Sequence, residues 1–320
     1  MHRWTDLSQT PPGLRPCVVT LGNFDGVHKG HQAVISATLR AAEAHNLPSV
    51  AVTFDPHPVA VLRPHDAPDL IAPREIRDDL LAQTGLDGLL VLDFTTEFAQ
   101  QTPGDFVRET FVRGLDARVV VVGIDTRFGH RNSGDVGTLR ALGDRFGFDV
   151  IAIDDVGDGV RWSSTTIRRH LARGEVPDAA YILGRPHRVV GVVVHGHHRG
   201  RALGFPTANL SVDALGYVPA EGVYAGWLTR LDRPVSEPDR RMPAAISIGT
   251  NPTFDTDDRR TVEAHVLDRD DLDLYDERVM VEFIEHVRPM MTFDSVEDLV
   301  AMMGQDVAHC RRVLLEAPRP

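Results

Sequence analysis

The sequence predicts an α/β fold followed by a β fold: a doubly wound parallel sheet, then an antiparallel barrel with a terminal helix. Two patterns and one number carry this expectation. Apolar, strand-like runs alternate with helix-period segments from residue 16 to about 183, which implies a parallel sheet with helices on both faces. After Gly184-Arg185-Pro186 the texture changes to short β-rich runs separated by turn residues. At 320 residues the chain is too long for one ordinary core and suits two domains. The boundary is drawn to give domains 1–184 and 185–320.

In the first domain, strands are expected at 17–21, 49–54, 89–94, 118–123 and 149–153. Helical patterns lie between them near 31–45, 73–84, 103–113 and 135–146. The first helix is read from Val34, Ile35, Thr38, Leu39 and Ala42, which recur at helical spacing. Ligands of such sheets bind beyond the carboxyl ends of the strands, which gathers 23–31, 55–58 and 125–134 around one crevice. In the second domain, strands are expected at 189–195, 222–231, 242–248, 261–267 and 279–284. A last helix starts at Asp294 or Ser295, with Glu297 and Asp298 in its first turn. Its apolar positions Val296, Leu299, Met303, Val307, Cys310 and Leu314 fall three or four apart and read as a packing stripe.

Bulk properties narrow the function. The net charge of −12, from 46 acidic and 34 basic side chains, repels polyanions, so nucleic acid is not an expected partner. No apolar stretch approaches the length of a membrane span, and the N-terminus lacks an apolar signal region. Cys17 and Cys310 are too far apart in sequence to suggest a disulfide framework, which fits a reducing cytoplasm. Lys29 is the only lysine, so the Gly-Lys of a Walker loop is missing. Homo-oligomers are left open.

The segment T-L-G-N-F-D-G-V-H-K-G-H, 20–31, carries the first chemistry. A buried strand delivers a glycine-broken turn onto a helix N-terminus, whose unpaired N–H groups favour anions. His28 and His31, three apart, can face one bound group. His28-Lys29-Gly30-His31 matches the H-x-G-H pattern of nucleotidyltransferases. There, positioned donors stabilise charge spreading from an α-phosphate, and anion proximity favours charged imidazoles. Taken alone, the pattern is also compatible with a helix-starting turn. Asp55-Pro56-His57-Pro58 and the run 123–129 end later strands, and Ser163, Ser164, Thr165 and Thr166 with Arg168 form a hydroxyl-rich helix start. That start serves as a cap or closes over a triphosphate.

G-N-F-D-G-V-H-K-G-H, T-F-D-P-H-P and S-S-T-T-I-R, in this order, resemble the prokaryotic bifunctional riboflavin kinase/FMN adenylyltransferases (FAD synthetases). The resemblance implies that the first domain transfers AMP from ATP to FMN. It also implies that Gly22, Asn23, Phe24, Asp25, His28, His31, Asp125, Ser164, Thr165 and Arg168 meet ATP. Phe54, Asp55, Pro56, His57, Pro58 and Phe128 would line the flavin. His28 and His31 are the catalytic candidates. Thr126 departs from the family, where an aromatic is expected after the acidic residue.

Gly196, Gly200 and Gly204 are spaced by four in H-G-H-H-R-G-R-A-L-G-F-P-T-A-N-L, and a glycine-rich loop lets backbone approach phosphate. Thr207 and Asn209 alternate on the following strand and share a face; two neutral oxygens suit magnesium, which keeps waters and phosphates in its shell. Glu263, at a barrel mouth, is placed to act as general base on an alcohol; a solvent-facing strand glutamate is the plainer alternative. G-F-P-T-A-N, E-G-V-Y-A-G, S-I-G-T-N-P-T-F and V-E-A-H are similar to the riboflavin kinase half of the same family. This implies Gly196, Gly200, Arg201, Gly204, Pro206, Thr207 and Asn209 at ATP, Thr207 and Asn209 on Mg2+, and Glu263 as base. Riboflavin, FMN and ATP are then the partners, with FMN and FAD as products. Asp276 and Glu277 follow Tyr275 where glycine is expected. Three rivals stand beside this reading. Zinc could sit on His28, His31, His57 and Asp55, or on His195, His197 and His198; the AMP acceptor could differ; or the barrel could sense flavin without turnover.

Overall fold

The structure, a computed structural model, describes residues 1–158, 161–195, 203–211, 213, 216–250 and 260–316. It divides into two compact units, Met1–Ser164 and Thr165–Pro320. In the first, β1 (His2–Trp4), β2 (Cys17–Leu21), β3 (Ser49–Asp55), β4 (Gly88–Asp93), β5 (Ala117–Gly123) and β6 (Asp149–Ile153) form one sheet. Their order is β1-β4-β3-β2-β5-β6, and each neighbouring pair is parallel. Helices α1 (Lys29–His45), α2 (Pro58–Leu62), α3 (Arg74–Ala82), α4 (Pro103–Phe106) and α5 (Val136–Phe146) lie between the strands in sequence.

Alternation along the strands feeds a core on each face. Val18, Val119 and Val121 pack with Ala37, Ala41 and Ala42 of α1. Cys17, Val19, Val120 and Val122 belong with Phe106, Phe111 and Leu139 on the other face. Both faces are covered, as a parallel sheet requires. The strand order reverses between β2 and β5, so the ligand crevice lies beyond their carboxyl ends.

The five expected strands are present to within one residue at each end. β1 was not expected: three residues are too few to show a period, yet Trp4 is buried and lies against Gly88, where a Cβ would stand 2.9 Å from its ring. The helix expected over 103–113 is α4 running into a π-helical stretch, Val107–Gly114. There Leu115 N–H donates to the Thr110 carbonyl at 3.1 Å, five residues back.

The second unit is a closed antiparallel barrel of β7 (His187–Val194), β8 (Ala208–Leu210), β9 (Gly222–Arg230), β10 (Arg241–Thr250), β11 (Arg260–Val266) and β12 (Arg278–Arg288). Around the wall the order is β10-β11-β8-β7-β12-β9. Three helices accompany it in sequence: α6 (Ser164–Leu171), which starts at the last residue of the first unit, α7 (Val176–Leu183) and α8 (Val296–Glu316). Alternate residues of β10 and β11 are buried, while β9 is buried on both faces. The reason is α8: Ala225 and Trp227 on the outside of β9 pack with Cys310 and Leu314. Of the apolar stripe of α8, Val307, Cys310 and Leu314 thus do the packing expected of them, whereas Val296 is 56% exposed. Asp306, buried on the same helix, pairs with Arg288 at 2.7 Å.

Gly226 stands opposite Phe283, just where the β9–β12 register slips. A Cβ there would overlap the Glu282 carbonyl oxygen and the Ile246 side chain. Gly226→Ala is therefore expected to destabilise the barrel by about 2–4 kcal/mol, read as a fall in its thermal midpoint. An unchanged midpoint would mean that the bulge absorbs the methyl group.

Candidate active sites

The loop 22–28 leaves β2 and turns back to start α1. Gly26 (φ 80), Phe24 (φ 52) and Val27 (φ 41) all lie in the left-handed region, a conformation that non-glycine residues hold only when their surroundings fix it. Here they do. Phe24 and Val27 are buried, Asp25 accepts the Ala72 N–H at 2.9 Å, and Ser164 Oγ donates to the Asp25 carbonyl at 2.9 Å. Gln32 Nε2 donates to the Val27 carbonyl at 2.8 Å.

His28 caps α1, its Nδ1 accepting from the His31 N–H at 3.4 Å. The two imidazoles stack with centroids 3.7 Å apart. Gly30 permits this: a Cβ there would come within 3.0 Å of the His28 ring. His31 Nδ1 is buried without a hydrogen-bond partner. Burial, reinforced by positive charge from His28 and Arg161, holds its pKa well below the usual 6.5. The resting ring is neutral, whereas the charged form expected beside an anion needs the anion to arrive.

A cavity of ≈330 Å³ opens here, lined by Gly22, Asn23, Phe24, His28, His31, Asp125 and Ser164. Of the residues expected at nucleotide, Asp25 lies buried in the loop, and Thr165 and Arg168 follow Ser164 along α6, in the second unit. Asp125 is ion-paired with Arg161, which also holds Asp155 at 3.0 Å. Lys29 Nζ stands 5.1 Å from the Trp162 ring. Arg161 and Trp162 line the cavity too; Trp162 opens the hydroxyl-rich run 162–168, while no motif pointed to Arg161.

A second cavity, ≈440 Å³, is lined by Phe54, Pro58 and Phe128, three of the residues named for the flavin, together with Phe94, Phe98 and Phe106. Phe54 meets Phe94 edge-on at 5.4 Å and Phe98 at 5.8 Å. The i, i+4 spacing of Phe94 and Phe98 after a strand end was the signal available for this wall. Asn23, Phe54 and Arg127 line both cavities. Asp55, Pro56 and His57 are not among the lining residues: Asp55 pairs with Arg74 at 3.1 Å, and His57 caps α2 by accepting the Val59 N–H at 3.3 Å. Thr126 lines the first cavity beside Asp125, whereas Phe128 lines the second.

In the barrel, Asn209 sits directly opposite Glu263 in the β8–β11 pair. Thr207 Oγ1 donates to Glu263 Oε2 at 3.3 Å, and Asn209 Nδ2 donates to Thr207 Oγ1 at 3.2 Å. Thr207 and Asn209, two residues apart, thus form one polar cluster with the distant Glu263. Glu263 alternates with the buried Val262, Ala264 and Val266, so its carboxylate faces outward from the wall and not into the barrel. His265 Nδ1 donates to the Pro206 carbonyl at 2.8 Å and steadies the segment before β8. Pro206, Thr207 and Asn209 border a small cavity of ≈50 Å³ with Leu274 and Tyr275. Gly204 is left-handed, with φ 86. Asp276, where glycine was expected, adopts φ 61 and keeps a glycine-like turn. Gly196, Gly200 and Arg201, with His197 and His198, lie outside the described residues.

The oxygen atoms of Thr207, Asn209 and Glu263 are a hard donor set of the kind magnesium takes. Zinc on His28, His31, His57 and Asp55 fits less well, since Asp55 and His57 are turned to Arg74 and Val59. Among the described residues, the histidine and carboxylate group close enough to share an ion is His170, Glu175 and Asp178. No helix among them is long and apolar enough to cross a membrane.

Residues 10–166 match the family model for FAD synthetase, and residues 183–314 that for riboflavin kinase. The chain is 34% identical to a bifunctional riboflavin kinase/FMN adenylyltransferase of Escherichia coli (strain K12), over 94% of this chain and 93% of the relative. It is 35% identical to the protein of that name from Listeria monocytogenes, over 95% and 91%. A crystal structure titled as a macrolide-efflux protein from Streptococcus pneumoniae superposes with a TM-score of 0.85 at 34% identity, covering 97% of this chain and 98% of that one.

Proposed function

The chain belongs to the bifunctional riboflavin kinase/FMN adenylyltransferase family, and from that premise we propose which residues perform its two reactions. It phosphorylates riboflavin with ATP to give FMN and adenylylates FMN with ATP to give FAD and pyrophosphate. We assign adenylylation to domain 1–184 and the kinase to domain 185–320. The observation that carries the assignment is a pair of unlike clusters: stacked His28 and His31 at a helix N-terminus, and Thr207, Asn209 and Glu263 on a barrel wall.

In the first site ATP occupies the cavity at His28, and the flavin ring occupies the phenylalanine-lined one. Asn23, His28, His31, Ser164 and the α1 N–H groups receive phosphate oxygens, with Thr165 and Arg168 assigned to the same nucleotide by the family motif. The attacking group is already an anion, so donors and not a base supply the rate. In the second site Glu263 removes the proton of the ribityl 5′-hydroxyl as that oxygen attacks the γ-phosphorus. Thr207 and Asn209 would hold Mg2+, which neutralises phosphate charge.

The buried thiols of Cys17 and Cys310, each pushed up to about 12 by burial, suit the reducing cytoplasm to which we assign the protein. The charge of −12 supports substrates other than nucleic acid. Chromatography of products from riboflavin, ATP and magnesium tests the whole reading: FMN should appear first and FAD after it. Riboflavin returned unchanged would overturn it.

A further inference from the structure

FMN comes to the first site as an anion and must bring its phosphate against the α-phosphorus of an anionic ATP. On the two-cavity reading given above, that phosphate lies where the ≈330 Å³ and ≈440 Å³ cavities meet. Three described residues line both: Asn23, Phe54 and Arg127. One is a neutral amide, one is apolar, and one is a cation. We propose that Arg127 binds the FMN phosphate at this junction and turns its oxygen toward the α-phosphorus; the proposal rests on that reading of the cavities.

Its surroundings suit the task. Arg127 follows β5 and is anchored through its neighbours: Phe128 is 6% exposed, and Gly129, at φ 72, lies so close to Pro103 that a Cβ would meet its nitrogen at 2.7 Å. The backbone is fixed while the guanidinium is free to choose a partner. In the resting structure Nη1 is 3.5 Å from Asp135 Oδ2, with side chains 59% and 46% exposed. A long, exposed pair of this kind contributes about 0–1 kcal/mol. A phosphate offers a bidentate, charge-assisted alternative matched to the guanidinium fork. Asp135 loses little when Arg127 leaves, because its Oδ1 caps α5, accepting the Thr138 N–H at 2.8 Å and the Thr138 hydroxyl at 3.0 Å.

The step then balances without a proton transfer. A bond forms between an FMN phosphate oxygen and the α-phosphorus. The bond from that phosphorus to the bridging oxygen breaks, and its electron pair leaves with pyrophosphate. Arg127 offsets the repulsion of two anions brought into contact.

The test compares Arg127→Met and Arg127→Lys in the full chain, following FAD formed from FMN and ATP. Arg127→Met should raise the KM for FMN by about 10- to 100-fold and change that for ATP less than about threefold, with Arg127→Lys recovering part of the loss. An unchanged KM for FMN, or a rise confined to ATP, overturns the proposal. Ala99→Trp, which fills the second cavity, tests the underlying reading separately. It should raise the KM for FMN, and if it does not, the cavity assignment fails; if it does while Arg127→Met is silent, only the role of Arg127 fails.

Discussion

Glu263→Gln is expected to lower FMN formation by about a hundred- to ten-thousand-fold while FMN is still converted to FAD at the parent rate. A primary alcohol is a poor nucleophile at neutral pH, and a positioned base typically supplies that factor. The amide keeps the size of the carboxylate and can still meet Thr207 Oγ1, which lies 3.3 Å from Glu263 Oε2, so the cluster should hold its shape. Riboflavin binding, followed by quenching of flavin fluorescence, should persist. The variant also separates the rival in which the barrel senses flavin without turnover, since a sensor has no use for a base. Parent-level FMN formation by Glu263→Gln would remove the carboxylate from the mechanism. Simultaneous loss of riboflavin binding would instead point to damage of the wall.

How much of this was legible before the structure depends on the range of the interaction concerned. Strands β2 and β5 announce themselves because Cys17–Leu21 and Ala117–Gly123 are buried along nearly their whole length, and such runs need no partner to be recognised. His28 and His31 were legible for the same reason: a helix start fixes residues three apart on one face. The wall of the second cavity was legible only in part, through the spacing of Phe94 and Phe98. Phe94, Phe98 and Phe106 come from separate elements, and only the packing of three segments turns them toward Phe54.

Asp55 and His57 show the opposite failure. Their motif was visible, but Arg74 and the N-terminus of α2 claim the two side chains. Glu263 lay between, because strand alternation told that it opposes the side of Val262 and Ala264, yet not which side faces the core. Asp276 was readable as an exception and harmless in outcome: an aspartate tolerates the left-handed conformation better than most residues.

His31 supports the second large effect. Replacing both imidazoles, in His28→Ala/His31→Ala, should reduce FAD formation by about a hundred- to a thousand-fold and leave FMN formation intact. The sign of the proton linkage can be stated from the direction of the shift. In the free protein burial holds the His31 pKa well below 6.5, with His28 and Arg161 adding to it, so at pH 7 the ring carries no proton. For folding, a lowered histidine pKa contributes stability that is present above the unfolded value and is lost as pH falls below it. A triphosphate reverses the local field, raises the pKa and draws a proton from solvent. Calorimetry of ATP binding near pH 7 should therefore show a binding enthalpy that depends on the ionisation heat of the buffer. The dependence should vanish in His31→Ala. If the parent protein takes up no proton while its FAD synthesis remains sensitive to His31, the ring acts as a neutral N–H donor, and the charge on the departing pyrophosphate must be met by arginine and backbone alone.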